Sequence, residues 1–235
     1  MRDPHQTFML KQKYKNEQVL VVPTSLANNI PDSFSYKMSR STERLFTNAN
    51  TFVYRYDAEY NYSLTQLISY VVITDDEKQS LFVTERVGGE ERLQHRYSLG
   101  AGGHVNPKDM SHNTMLTAAQ RELSEELNIA LADNTSLYCY GTVRDFDSPT
   151  REHLGLVYVA IAKSVEVKEK NTLRGQWMDV RTLVNNYNMF ESWSRHIIDH
   201  MFVNNKKYGN LFLPFPATGA KRYDRKSKKT VRKNC

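Results

Sequence analysis

The chain has little cysteine, no long apolar run and, over most of its length, no surplus of positive charge. Its two cysteines in 235 residues, Cys139 in a strand-like segment and Cys235 at the end, build neither a disulfide framework nor a cysteine metal cluster. Both are expected as free thiols. No hydrophobic stretch approaches the roughly 20 residues that a membrane-crossing helix needs, and residues 1–12 lack the apolar core of a secretory signal. A cytoplasmic protein without a membrane partner is therefore expected. The net charge of +6 is misleading until it is located. Lys221, Arg222, Arg225, Lys226, Lys228, Lys229, Arg232 and Lys233 stand against Asp224 alone, a surplus of seven, so the rest of the chain is near −1. Basic character belongs to a tail. Nothing repeats internally, and 40% hydrophobic with 25% charged residues is ordinary for a globular protein.

Four regions are expected. Residues 1–16 are polar and read as a flexible N-terminus. Residues 17–64 are apolar enough to fold and read as an N-terminal extension packed on the core, with strands at 18–22 and 52–56 and a helix at 39–48 capped by Ser39 or Ser41. The core domain is placed at 65–213. Within it, 67–73 and 80–86 form a hairpin around the Asp75–Lys78 turn, and strands follow at 137–143, 153–162 and 176–180. Met189 to Val203 is amphipathic, with Met189, Trp193, Ile197 and Met201 recurring at i+4 as a packing stripe. Residues 214–235 form the basic tail, expected to be disordered.

One stretch organises the rest. Gly102 and Gly103 precede a run from Met115 to Leu127 that is free of Gly and Pro and rich in helix formers, with Asn113 or Ser111 as its cap. At about 100° per residue, Leu116, Ala119, Leu123 and Leu127 share a stripe, while Glu122, Glu125 and Glu126 gather on its flank. Like charges at i,i+4 repel. A divalent cation reverses that sign, and hard oxygen ligands suit Mg²⁺ completed by waters and substrate phosphates. Arg121 is placed to hold one carboxylate through a bidentate contact. A solvated acidic face is the plainer reading of any Glu pair taken alone.

Gly103, Arg121, Glu122, Leu123, Glu125, Glu126 and Ile129 together resemble the Nudix box, the signature of the Nudix hydrolase superfamily. Three departures stand out: the loop from Gly103 to Arg121 is about four residues longer than in the box, its acid is Asp109 rather than Glu, and Asn128 replaces the late glycine. The resemblance implies an α/β fold, an α/β/α sandwich with a mixed β-sheet. It further implies Mg²⁺-dependent cleavage of a pyrophosphate linkage in a nucleoside diphosphate derivative, with Mn²⁺ as an alternative ion. By similarity, Glu125 and Glu126 are metal ligands, Glu122 a ligand or the base, Gly102 a backbone-carbonyl ligand, and Arg121 an orienting group. Many members carry Glu before a Trp in the last strand. Here that position is Gln176, which cannot take a proton as a carboxylate does, so Glu152 is the candidate base with Asp145 or Asp147 in reserve, although loop acids are commonly just solvated. Arg86, Arg92, Arg96 and His104 are candidates for substrate phosphates. His153, at a strand start, reads equally well as a structural hydrogen-bonding residue.

Two other functions are consistent with these residues: an RNA 5′-end or cap pyrophosphohydrolase aided by RNA contact through the basic tail, and a catalytically inactive nucleotide- or RNA-binding module. A homodimer stays open.

Overall fold

The computed structural model describes residues 4–36, 38–59, 61–77, 79–88, 96–132, 137–147, 151–168 and 170–203. Arg92 and the basic tail lie outside them. The elements run α1 Pro4–Lys13, β1 Gln18–Pro23, α2 Thr24–Ala27, β2 Phe34–Ser35, α3 Arg40–Asn48, β3 Thr51–Tyr54, α4 Arg55–Ala58, β4 Leu64–Asp75 and β5 Ser80–Arg86. Then follow β6 Tyr97–Ser98, β7 Ala101–His104, α5 Thr114–Glu126, β8 Leu127–Leu131, β9 Tyr138–Val143, β10 His153–Val167, β11 Leu173–Asp179, α6 Val180–Asn185 and α7 Ser192–Ile198.

The strands form one mixed sheet with the order β11-β5-β4-β10-β9-β2. Its spine is β4, a nearly continuous apolar run buried on both faces, paired in parallel with β10 from His153↔Gln66 to Ala162↔Asp75. Every other pairing between the named strands is antiparallel, including β7 on β4 and β1 on both β3 and β4.

Alternation along β4 sorts its side chains between two layers. Leu67, Val71 and Ile73 meet Met115, Ala118, Ala119 and Leu123 of α5. Ile68, Tyr70 and Val72 meet Trp193, Ile197 and Ile198 of α7. This is the expected α/β/α sandwich. A third, small cluster of Val19, Val21 and Ala58 ties α4 to β1.

Several elements differ from expectation. The segment read as flexible forms α1, with Pro4 as its first residue. The strand placed at 52–56 ends at Tyr54, and the chain turns into α4. β8 follows α5 directly and pairs with the far end of β10, which runs to Val167 because it has that partner. The last helix begins at Ser192, since the Glu191 carboxylate accepts from the Trp193 and Ser194 amides and caps it there. Met189 therefore falls outside the packed stripe and is exposed. Cys139 is disulfide-bonded and not a free thiol.

Candidate active site

The site is built where β7 hands over to α5. Gly100 turns the chain into β7 with φ +93°, and a Cβ there would stand 2.0 Å from the Val71 carbonyl oxygen. After β7, Pro107–Asp109 makes a single 3₁₀ turn whose start is fastened by its own last residue: the Asp109 side chain accepts from the Asn106 amide at 2.9 Å. Asn113 then caps α5, its side chain accepting from the Leu116 amide.

Arg121 is the centre of the resulting cluster. Its Nε and Nη2 donate to the two oxygens of Asp109 at 2.8 and 2.9 Å, a bidentate pair. Its Nη1 donates to Glu122 Oε1 at 2.6 Å and to Glu125 Oε2 at 2.9 Å, and Nη2 also reaches the His104 carbonyl at 2.8 Å. One guanidinium thus orients three acids and ties α5 to β7. Gly103 is the matching cradle, for a Cβ there would lie 2.5 Å from the Glu122 carboxyl carbon. The glycine is required so that Glu122 can lie against the strand.

The electrostatics follow the geometry. Burial opposes the charge on Arg121, but the Asp109 bond and the Glu122 charge outweigh it and hold its pKa above the ordinary value. Burial raises the Glu122 pKa despite Arg121. The Glu125 carboxyl is held below the ordinary range: slight burial works against this, and hydrogen bonds from Lys108 and Arg121 prevail. Among the described residues, three acids of this cluster (Asp109, Glu122, Glu125) share two cations (Arg121, Lys108), a negative balance that a divalent ion suits.

Of the residues named from sequence, Arg121, Glu122 and Glu125 come together, with half-buried Glu126 on the same helix end. Gly102 lies on β7 opposite Tyr70. Glu152 is buried just before β10, its carbonyl accepting from the Gln66 amide at 2.7 Å. Asp145 is buried 3.7 Å from His196, and Asp147 is exposed. Arg86 ends β5 opposite Leu173, and Arg96 is turned to the Asn188 carbonyl at 2.9 Å. Gln176 is exposed on β11. His104 sits apart from the carboxylates, because alternation sends Gly103 toward Glu122 and the His104 ring to the other face of the sheet. Sequence reasoning missed the role of Asp109. The signal for it was Asn106-Pro107-Lys108-Asp109, a capping pattern that marks a built turn.

A family model described as NUDIX domain matches residues 65–201. The chain is similar to Protein YmaB of Bacillus subtilis (strain 168), 34% identical over 154 residues that make up 62% of this chain and 75% of that protein. It is also similar to the crystal structure of the protein Tm1382, with 26% identity, a TM-score of 0.67 and coverage of 78% of this chain and 97% of that one. The crystal structure of DR0079 from Deinococcus radiodurans aligns at 15% identity with a TM-score of 0.49, over 78% of this chain and 96% of that one.

Proposed function

The chain belongs to the Nudix family and is a pyrophosphate-cleaving hydrolase acting on acid anhydrides, and from that premise we propose that it hydrolyses a nucleoside diphosphate derivative with Mg²⁺ held at the α5 carboxylates. The observation that carries this reading is the Gly103 cradle: of the two glycines on β7, it is Gly103 that faces the Glu122 carboxylate, which Arg121 holds at 2.6 Å. A buried acid so braced, in a cluster with surplus negative charge, fits a divalent ion better than a plain helix surface does.

Glu122, Glu125, Glu126 and the Gly102 carbonyl would hold the ion, with Mn²⁺ as a substitute. When bound, such an ion supplies neutralisation of the diphosphate oxygens and eases attack by water on phosphorus. Arg121 fixes the direction of two of the carboxylates. Glu152 is the candidate proton acceptor, with Glu122 the other, since burial gives Glu122 a proton affinity better matched to base work near neutral pH. Asp145 stays in reserve. Arg86, Arg96 and His104 are assigned to the substrate's phosphates only as a subsidiary reading.

The test is phosphate or nucleoside monophosphate release from a panel of nucleoside triphosphates, ADP-ribose, NADH, dinucleoside polyphosphates and capped or triphosphorylated RNA. Each is run with Mg²⁺ and with chelator, beside Glu126→Gln. Metal-dependent turnover, reduced about 10²-fold or more in the variant, is expected. Turnover indifferent to both chelator and variant overturns the assignment. Tight nucleotide binding without turnover would favour the inactive module.

A second reading rests on the basic surplus of residues 221–233, which suits a phosphate backbone. If RNA ends are the substrate, removing 217–235 weakens turnover of RNA and spares a dinucleotide. Equal loss or no loss on both rejects it.

A further inference from the structure

The face of β7 turned away from Glu122 carries a second constellation. Glu59 after α4, His104 on β7 and His153 at the start of β10 bring one ligand atom each to within 4.8 Å of one another. The His104 and His153 Nε2 atoms are 3.2 Å apart. Two imidazole nitrogens bound to one tetrahedral zinc at the usual bond length stand about 3.3 Å apart. At this separation at most one of the facing nitrogens carries a proton, so at least one lone pair points into the space between the rings.

The surroundings orient the carboxylate of this group. Glu59 is buried, and Arg55 Nε engages one of its two oxygens at 3.1 Å. Arg55 is itself held by Glu17 at 3.0 Å and lies over the Tyr14 ring at 4.0 Å. The carboxylate is thus oriented from behind, as outer partners orient metal ligands. Gln66, wholly buried, sits 2.9 Å from His104 Nε2 through its Oε1, while its Nε2 donor has no hydrogen-bond partner among the described residues.

We propose that Glu59, His104 and His153 form a transition-metal site of the zinc class, with two imidazoles, one carboxylate and an open fourth position. It is separate from the α5 carboxylates: nitrogen ligands select zinc-like ions, whereas the all-oxygen cluster suits Mg²⁺. Its ligands come from the N-terminal segment and from two strands of the core, so occupancy pins the former to the latter. The site does not depend on the substrate or the hydrolytic reading above.

The test uses the full chain, stripped with chelator and returned to buffer containing millimolar Mg²⁺. Co²⁺ is added as a spectroscopic probe and Zn²⁺ as competitor. Expected are visible bands of a tetrahedral nitrogen/oxygen site saturating at one Co²⁺ per chain, their loss on adding Zn²⁺, and a higher melting temperature with Zn²⁺. His153→Gln and Glu59→Gln should each weaken Co²⁺ affinity by more than the roughly 10- to 100-fold that loss of an outer partner costs. Glu126→Gln should leave the bands intact. Folded wild-type protein without such bands overturns the proposal, and so do bands that survive His153→Gln or vanish with Glu126→Gln. Circular dichroism of each variant separates lost binding from lost fold.

Discussion

The two layers flanking the sheet each hold acids away from full contact with water, buried on one side and half-buried on the other, and they handle the charge in opposite ways. On the α5 side, Asp109 at 1% exposure and Glu122 at 9% are met by a full positive charge, the Arg121 guanidinium. On the α7 side, Glu191 is met by neutral donors: the Trp193 and Ser194 amides, the Ser194 hydroxyl at 2.5 Å and the Tyr70 hydroxyl at 3.3 Å. A counter-charge aims the acids, as a cation site requires, and offsets part of the burial that raises the Glu122 pKa. Dipoles satisfy hydrogen bonds but leave the carboxyl costly to ionise, which serves only to start a helix.

The largest expected effect is at the cradle. Gly103→Ala puts a methyl group 2.5 Å from the Glu122 carboxyl carbon and forces that side chain off the strand. Displacement by about 1 Å at a reacting centre costs on the order of 10²-fold in rate, so kcat should fall at least that far while circular dichroism stays unchanged. An alanine variant of full activity would show that Glu122 need not lie where it does.

Next is the buried pair. Asp109→Ala removes the bidentate partner and leaves Arg121 half-answered at low exposure. Breaking a buried pair costs about 3–5 kcal/mol, equivalent to roughly 6–20 °C in melting temperature for a chain of this size. Thermal melts would read it, and a loss under about 2 °C would mean that Arg121 is held by Glu122 and Glu125 alone. Arg121→Lys is milder in stability but not in function. One ammonium cannot serve Asp109, Glu122, Glu125 and the His104 carbonyl together, and activity should drop about tenfold or more at unchanged substrate affinity.

These effects also show what was legible in the sequence. Helix α5, its cap and the spacing of Arg121, Glu122, Glu125 and Glu126 are local, and local patterns survive in a linear reading. The sandwich was readable because β4 is a largely apolar run and Trp193, Ile197 and Met201 share a stripe. The Asp109–Arg121 pair was half-visible, since its span crosses a loop whose turn had to be recognised first. Glu59, His104 and His153 were not legible as a group. The two histidines are brought together by β7 pairing with β4 and β10 pairing with β4, Glu59 arrives from the end of α4, and no spacing records that. Helix α1 escaped because its residues show little segregation of apolar side chains, and β8 because it follows α5 without a break.

The smallest effect tests the α7 side. Burial raises the Glu191 pKa, and the hydrogen bonds from Ser194, Trp193 and Tyr70 reduce that rise without cancelling it. A carboxyl whose folded pKa exceeds its unfolded one contributes stability that is fully present below the unfolded value, about 4.3, and is lost as pH rises through the folded value. Glu191→Gln keeps an oxygen acceptor for the amides and removes the ionisation. Its melting temperature should therefore exceed that of the parent at about pH 8, with the gap closing toward pH 4. Asp109→Asn should instead lower the melting temperature, because there a guanidinium answers the charge and an amide would leave it unanswered. Parallel melting curves for Glu191→Gln and parent across that range would mean that neutral donors stabilise a half-buried carboxylate as well as Arg121 does, and the contrast between the two layers would fail.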